Sequence, residues 1–255
     1  MRIQNSRLVS GFVLAGTMIL WPSLALSLTV AAGAARPAAM QREIRDAYPE
    51  VVRIRAKASV CTGTLIGPRV VLTAAHCANA PESHILFGGE RYPLRFIKSK
   101  SYLSKGHDIA LAITEHEIPG ARFARIGSGL RHGSVVHMAG YGCTTKGGKP
   151  GELSVGSSMV IGMDQDHILS FASRGGALCP GDSGGPAFVL NGDQRILVAV
   201  NSLSDVEKIN MNVRLDSELS RSFLKRVAAK FKLSICGLNS KCSDTSTRLA
   251  ALGQN

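Results

Sequence analysis

The chain has 255 residues, 45% of them hydrophobic and 19% charged, which suffices for a well-buried core and excludes wholesale disorder. Thirty Lys and Arg against 18 Asp and Glu give a formal net charge of +12. The cations are scattered, with small clusters at 91–105 and 225–232. They accompany no zinc-finger spacing and no RNA-binding aromatic motif, so a basic surface is expected but no nucleic-acid partner.

Arg2 and Arg7 precede an uncharged run from Leu8 to Ala35 that ends in small residues, the pattern of an export signal. Cleavage near Ala34 or Ala38 would release a secreted or periplasmic protein. An uncleaved membrane anchor is the alternative, which Pro22 and Gly33 weaken. Residues 40–48 form a short polar stretch with no assigned structure. Short apolar runs bounded by Gly, Pro, Ser or Asn then predict strands at 50–54, 59–66, 69–73, 84–87, 91–98 and 108–114. Gly67-Pro68 joins the second and third as a hairpin. Pro119-Gly120 marks a boundary. Beyond it, strands are expected at 134–141, 153–162, 168–172, 185–190, 195–203 and 209–215. A helix follows, opened by Asp216 or Ser217 as cap and running to about Leu233, with Leu219, Phe223, Val227 and Phe231 on one face. The expected organisation is a signal segment (1–35), an N-terminal β half (36–118), a C-terminal β half with its helix (119–233) and a stapled tail (234–255). Ten-odd short strands and one terminal helix make an all-β protein.

Six cysteines in an exported chain point to disulfides, which can pair in fifteen ways. Proximity favours Cys236 with Cys242. Cys61 and Cys77 flank the hairpin, which leaves Cys143 and Cys179. No close C-x-x-C pair supports zinc, so no metal and no cofactor are expected.

Ser183 stands in Cys179-Pro180-Gly181-Asp182-Ser183-Gly184-Gly185-Pro186, where glycines clear its surroundings and permit a tight turn. Such a turn can expose a hydroxyl while backbone N–H groups converge on one point, although a plain surface turn fits the same residues. A serine nucleophile needs a base, and His76 follows a buried-looking strand beside Cys77. The imidazole in turn needs a shielded carboxylate. Asp108 opens the apolar run Ile109-Ala110-Leu111, an unusual place for a charge without a partner. His107 is expected on the opposite strand face and incidental, and His132, His137 and His167 carry no motif.

The blocks Thr73-Ala74-Ala75-His76-Cys77, Asp108-Ile109-Ala110-Leu111 and Gly181-Asp182-Ser183-Gly184-Gly185-Pro186 resemble, in this order, the signatures of the chymotrypsin/trypsin-like serine proteases. The resemblance implies two six-stranded antiparallel β-barrels with an active site between them. It implies Ser183 as nucleophile, His76 as general base, Asp108 as its orienting acid, and the N–H groups of Gly181 and Ser183 as oxyanion hole. Ser202 matches the serine that supports the triad acid. Ala177 falls where trypsin-like members carry an aspartate at the pocket floor, so cleavage after an uncharged, apolar residue is expected, with Leu178 narrowing the pocket. Asp182 matches the aspartate that pairs with a freshly cut N-terminal amine, yet no Ile-Val-Gly-Gly-type tetrapeptide precedes Cys61. Cys143–Cys179 would staple the loop that positions the oxyanion donors. The resulting expectation is a monomeric serine endopeptidase acting on protein or peptide substrates. A catalytically silent binding protein on the same scaffold is the rival.

Overall fold

The computed structural model describes residues 38–57, 59–143, 151–172, 176–205 and 208–242. The expected signal segment 1–35 and the end of the tail lie outside them. Of the stretch 40–48, to which no structure was assigned, all but Tyr48 belongs to helix α1 (Ala38–Ala47). Met40, Ile44 and Ala47 repeat at helical spacing, and Ile44, Ala47 and the following Tyr48 are buried against the body of the protein.

The first sheet contains β1 (Val51–Arg55), β2 (Val60–Gly67), β3 (Val70–Thr73), β4 (His84–Phe87), β5 (Glu90–Pro93), β6 (Arg95–Lys98) and β7 (Ala110–Ile113). Its order is β5-β4-β1-β2-β3-β7-β6. The single strand expected over 91–98 is thus two. The chain turns at Leu94, whose N–H donates to Ser83 O, so β5 pairs with β4 and β6 with β7 at opposite edges. This sheet is a half-barrel rather than a closed six-stranded one. A short helix, α2 (Tyr102–Lys105), precedes β7.

The second sheet contains β8 (Arg125–Ile126), β9 (Val135–Gly140), β10 (Ser154–Met163), β11 (His167–Phe171), β12 (Pro186–Asn191), β13 (Gln194–Ser204) and β14 (Ile209–Arg214). Strand β12 pairs with both β9 and β13, so β9 to β14 close into a six-stranded antiparallel barrel. The two-residue β8, not foreseen, lies parallel to β13 outside it. The architecture is all-β with two barrel-like sheets, as the chain's texture implied.

Alternation along the strands explains why some runs are apolar throughout. In β3, Val71 faces the interior of the first sheet with Ile54, Leu65 and Ala112. Its neighbours Val70 and Leu72 face the seam between the sheets with Leu111, Val200 and Leu215. Strands β3 and β7 are therefore buried on both faces, which removes the polar alternation of a half-exposed strand. A separate cluster around Val136, Met138, Ile168 and Ala199 fills the closed barrel.

The terminal helix α3 (Glu218–Phe231) is capped by Ser217, whose Oγ accepts the Ser220 N–H. Its buried stripe is Ser220, Phe223, Leu224, Val227 and Ala228, rotated from the expected one because Leu219 and Phe231 are only partly covered. Phe223, Leu224, Val227 and Ala228 pack into the seam. The tail after α3 is held there too, with Cys236 N–H on Ile66 O and Ile126 N–H on Cys236 O. Gly67 must be glycine, since a Cβ would stand 1.9 Å from Ser234 O.

Candidate active site

Strand β3 ends at Thr73, and the fully buried Thr73-Ala74-Ala75 delivers His76 to the seam at the start of a 3-10 turn, His76–Asn79. The turn is tied back to β2 by the Cys61–Cys77 disulfide. Asp108 approaches from the segment before β7. One of its oxygens, Oδ1, accepts the His76 backbone N–H at 2.9 Å, and Oδ2 meets His76 Nδ1 at 2.6 Å. A carboxylate can only accept, so Nδ1 carries the proton and Nε2 keeps its lone pair, the tautomer a general base requires. Ser202 on β13 donates a further hydrogen bond to Asp108 Oδ2 at 2.7 Å. The Asp108 side chain is 6% exposed and that of His76 is 31% exposed, so the acid is shielded and the base reachable. Burial alone would raise the Asp108 pKa. The hydrogen bonds from His76 and Ser202 outweigh it and hold the carboxyl below its ordinary value.

The serine loop comes from the other sheet. Gly181 and Gly184 take φ of 105° and 82°, which side chains rarely tolerate. A Cβ on Gly184 would also stand 2.0 Å from Thr73 Oγ1 and 2.4 Å from Thr62 O. Thr62 on β2 connects the halves: its N–H donates to Ser183 O at 2.8 Å and its Oγ1 to Gly181 O at 2.7 Å. Its carbonyl accepts from Thr73 Oγ1, just upstream of His76. Cys77 Sγ lies 3.6 Å from Ser183 O, so the serine loop abuts the residue after the imidazole. Ser183 itself is half-buried. Among the described residues, neither the Gly181 N–H nor the Ser183 N–H donates to another protein group.

Asp182 is buried, 1% exposed. Gly142 N–H donates to its Oδ1 at 2.7 Å and Cys179 N–H to its Oδ2 at 2.9 Å. Burial pushes its carboxyl up to about 7 against the pull of these two donors. Gly140 and Gly142 pack their bare Cα atoms on it, since a Cβ at either would come within 2.4 Å of a carboxylate oxygen. Cys179 is bonded to Cys143, and Cys236 to Cys242.

Ala177 and Leu178 are both buried beside the serine loop. Asn210 on β14 accepts the Leu178 N–H at 3.0 Å and donates to Gly176 O at 2.7 Å, a bracing role for which the sequence offered no local signal. His107, expected on the face opposite Asp108, is fully buried, and both its ring nitrogens are hydrogen-bonded, to Ser99 and Ser220, which Asp108 does not touch. Asp108 and its predecessor lie before β7, so strand alternation does not apply to them. Arg195 and Glu50 form another pairing that was missed. They are buried together with Arg195 Nη2 2.9 Å from Glu50 Oε1, and the guanidinium lies 4.2 Å over the Tyr48 ring. Cys61, His76 and Cys77 bring potential metal donors within 4.8 Å, but the two sulfurs are bonded to each other and offer no thiolate.

A half-barrel and a closed six-stranded barrel, with His76, Asp108 and the Ser183 loop brought to their seam, make up the chymotrypsin fold. The family model described as Trypsin matches residues 40–216, more than half of the chain, and the chain belongs to that family. It is 29% identical over 170 residues to Serine protease SP24D of Anopheles gambiae, covering 56% of this chain and 63% of that protein. It is 28% identical over 204 residues to Chymotrypsin-2 of Vespa crabro, covering 69% and 93% respectively. Among solved structures it resembles a Glu endopeptidase in complex with MPD, at a TM-score of 0.59 and 21% identity, over 79% of this chain and 99% of that one. That likeness is one of fold.

Proposed function

We propose that this chain is an exported serine endopeptidase that works through an acyl-enzyme, with Ser183 as nucleophile, His76 as general base and Asp108 as the acid that orients it. The observation that carries this reading is the hydrogen-bonded line Ser202–Asp108–His76, which orients the imidazole at the seam where the Ser183 loop abuts Cys77. Ser183 Oγ attacks the scissile carbonyl and His76 takes its proton. Asp108 then faces an imidazolium, whose charge it stabilises without itself being protonated. The proton passes to the leaving amine, and water repeats the sequence on the acyl-enzyme. The N–H groups of Gly181 and Ser183 receive the oxyanion, and each such donor is worth about 2.7–4 kcal/mol in the transition state.

The Ser183 loop holds its shape without an inserted N-terminal amine. Supporting this, the Asp182 oxygens already accept the N–H groups of Gly142 and Cys179, and Gly140 and Gly142 close around them. Ala177 presents a methyl where a counter-ion would be needed for Arg or Lys, and the Asn210 amide is spent on bracing the loop. The cleaved bond therefore follows an uncharged, apolar residue. Export fits the three disulfides, which persist in oxidising compartments. No helix of the described residues is long and apolar enough to cross a membrane.

Cleavage of a peptide library by the mature protein tests the reading. Products should end in small or medium apolar residues and vanish in Ser183→Ala. Best cleavage after Arg or Lys would defeat the specificity. No cleavage of any peptide would favour a binding protein on this scaffold.

A further inference from the structure

The residue next to the triad acid is a fully buried histidine that the catalytic line does not use. His107 Nδ1 lies 2.7 Å from Ser99 Oγ, and Nε2 lies 2.8 Å from Ser220 Oγ in the first turn of α3. The proton on each of these atoms is determined by its partners. Ser220 Oγ donates to Arg214 O, a carbonyl that can only accept. Having spent its proton there, Ser220 Oγ must accept from His107, so Nε2 carries the ring proton. Nδ1 then accepts from Ser99 Oγ–H, and Ser99 Oγ in turn accepts the Ser101 N–H at 3.2 Å. The result is a one-way chain: Ser101 N–H to Ser99, Ser99 to His107, His107 to Ser220, Ser220 to Arg214 O. Every proton in it has a stated acceptor, and a satisfied buried polar network of this kind rigidifies its surroundings.

This chain crosses between the two halves of the molecule. Ser99, Ser101 and His107 belong to the half that carries Asp108, whereas Ser220 and Arg214 belong to the closed barrel and its helix. The backbone hydrogen bonds around the acid stay within its own half: the His107 N–H reaches Ser101 O at 3.4 Å, Ile109 N–H turns back onto His107 O at 2.9 Å, and Ser99 N–H donates to Ile109 O at 3.0 Å. Asp108 is thus anchored to the serine-bearing half at two points, through its own carboxylate to Ser202 and through its predecessor's ring to Ser220.

We infer that His107 is a positioning residue: its neutral, Nε2-protonated ring clamps the Asp108 segment to helix α3, and so fixes the acid of one half against the nucleophile of the other. The inference rests on the proposed triad. Burial lowers the pKa of the ring against the opposing charges of Asp166 and Asp108, with His167 acting in the same sense as burial, which keeps the clamp uncharged at neutral pH.

Two substitutions separate the ends of the clamp. A glutamine amide reaches the place of Nε2 and can still donate to Ser220, whereas an asparagine reaches only the place of Nδ1. His107→Gln should keep kcat within about twofold, while His107→Asn and Ser220→Ala each lower it about tenfold with KM unchanged, the loss of one well-placed hydrogen bond. The double variant His107→Asn/Ser220→Ala should be no worse than either single one. Equal kcat in all variants, or a His107→Gln as impaired as His107→Asn, would overturn the assignment.

Nitrogen-15 NMR of the wild type reads the clamp without turnover. His107 should show the neutral Nε2–H tautomer, and a charged or Nδ1–H ring would sink the inference. The low-field His76 Nδ1–H resonance expected of a 2.6 Å contact with Asp108 should persist in His107→Gln and broaden or vanish in His107→Asn. An unchanged resonance in His107→Asn would count against positioning even in a chain that cleaves nothing. Absent turnover with the NMR pattern intact would sink only the enzymatic reading.

Discussion

Asp182 offers a quantitative test of how the serine loop is held. Its carboxyl titrates near 3.8 when exposed and is pushed up to about 7 by burial in the folded protein. The folded state therefore binds a proton more tightly than the unfolded one. A raised folded pKa in an acid stabilises the fold at low pH, and the contribution is lost as pH climbs from the unfolded value through the folded one. Over that interval the loss amounts to about 4 kcal/mol. In Asp182→Asn the side chain cannot ionise. Its carbonyl oxygen can still accept from Gly142, and its amide faces the Cys179 N–H at a cost that does not vary with pH. Urea unfolding of both proteins between about pH 4 and pH 8 should show the stability of the wild type falling relative to the variant, most steeply between about pH 5 and pH 7. A constant difference would show that burial does not govern this carboxyl. A difference that grows in favour of the wild type as pH rises would show a buried cation, such as an inserted amine, paired with Asp182, and would refute the reasoning.

Other predictions follow from the same geometry. Ser202→Ala removes a hydrogen bond to a buried carboxylate, worth about 1.5–3 kcal/mol. Asp108 has a folded pKa below its ordinary value, so its contribution is present above about pH 4 and lost as pH falls through the folded value. The stability gap between wild type and Ser202→Ala should accordingly close on acidification, and a gap independent of pH would argue against an ionised Asp108. Glu50→Gln leaves the Arg195 guanidinium buried without its counter-charge and should cost about 3–5 kcal/mol by chemical denaturation, whereas Glu50→Leu/Arg195→Met together should cost far less. Gly184→Ala forces a positive φ and a clash with Thr62 and Thr73 at once. It should cost about 3 kcal/mol or more in stability, measured as a fall in Tm, together with loss of peptide cleavage.

The parts of this molecule that could be read from sequence are those whose chemistry is local. His76 at a buried strand's end, Asp108 heading an apolar run and Ser183 among glycines each carry their signal within about six residues, because a sharp turn or a shielded charge constrains its immediate neighbours. The seam's long-range contacts carry no such signal. Thr62 lies in an expected strand, yet its bonds to Gly181 and Ser183 join residues more than a hundred apart. Arg195 opens a buried run just as Asp108 does, and the same argument about an unpartnered charge would have flagged it, though not that Glu50 is its partner. Strand alternation has no purchase on His107, since β7 begins only at Ala110, and its partners Ser99 and Ser220 carry no local signal. Residues 40–48 did hold a helical signal in Met40, Ile44 and Tyr48, diluted by the polar residues between them.

The most direct test of the central claim is covalent labelling of Ser183 by a serine-directed phosphonate, read by intact-protein mass spectrometry and peptide mapping. The oriented His76 and the free N–H groups of Gly181 and Ser183 predict stoichiometric modification at Ser183, slowed by Asp108→Asn and abolished in Ser183→Ala. A folded mature protein that takes up no probe, or takes it up equally in Ser183→Ala, would contradict the proposed catalytic serine.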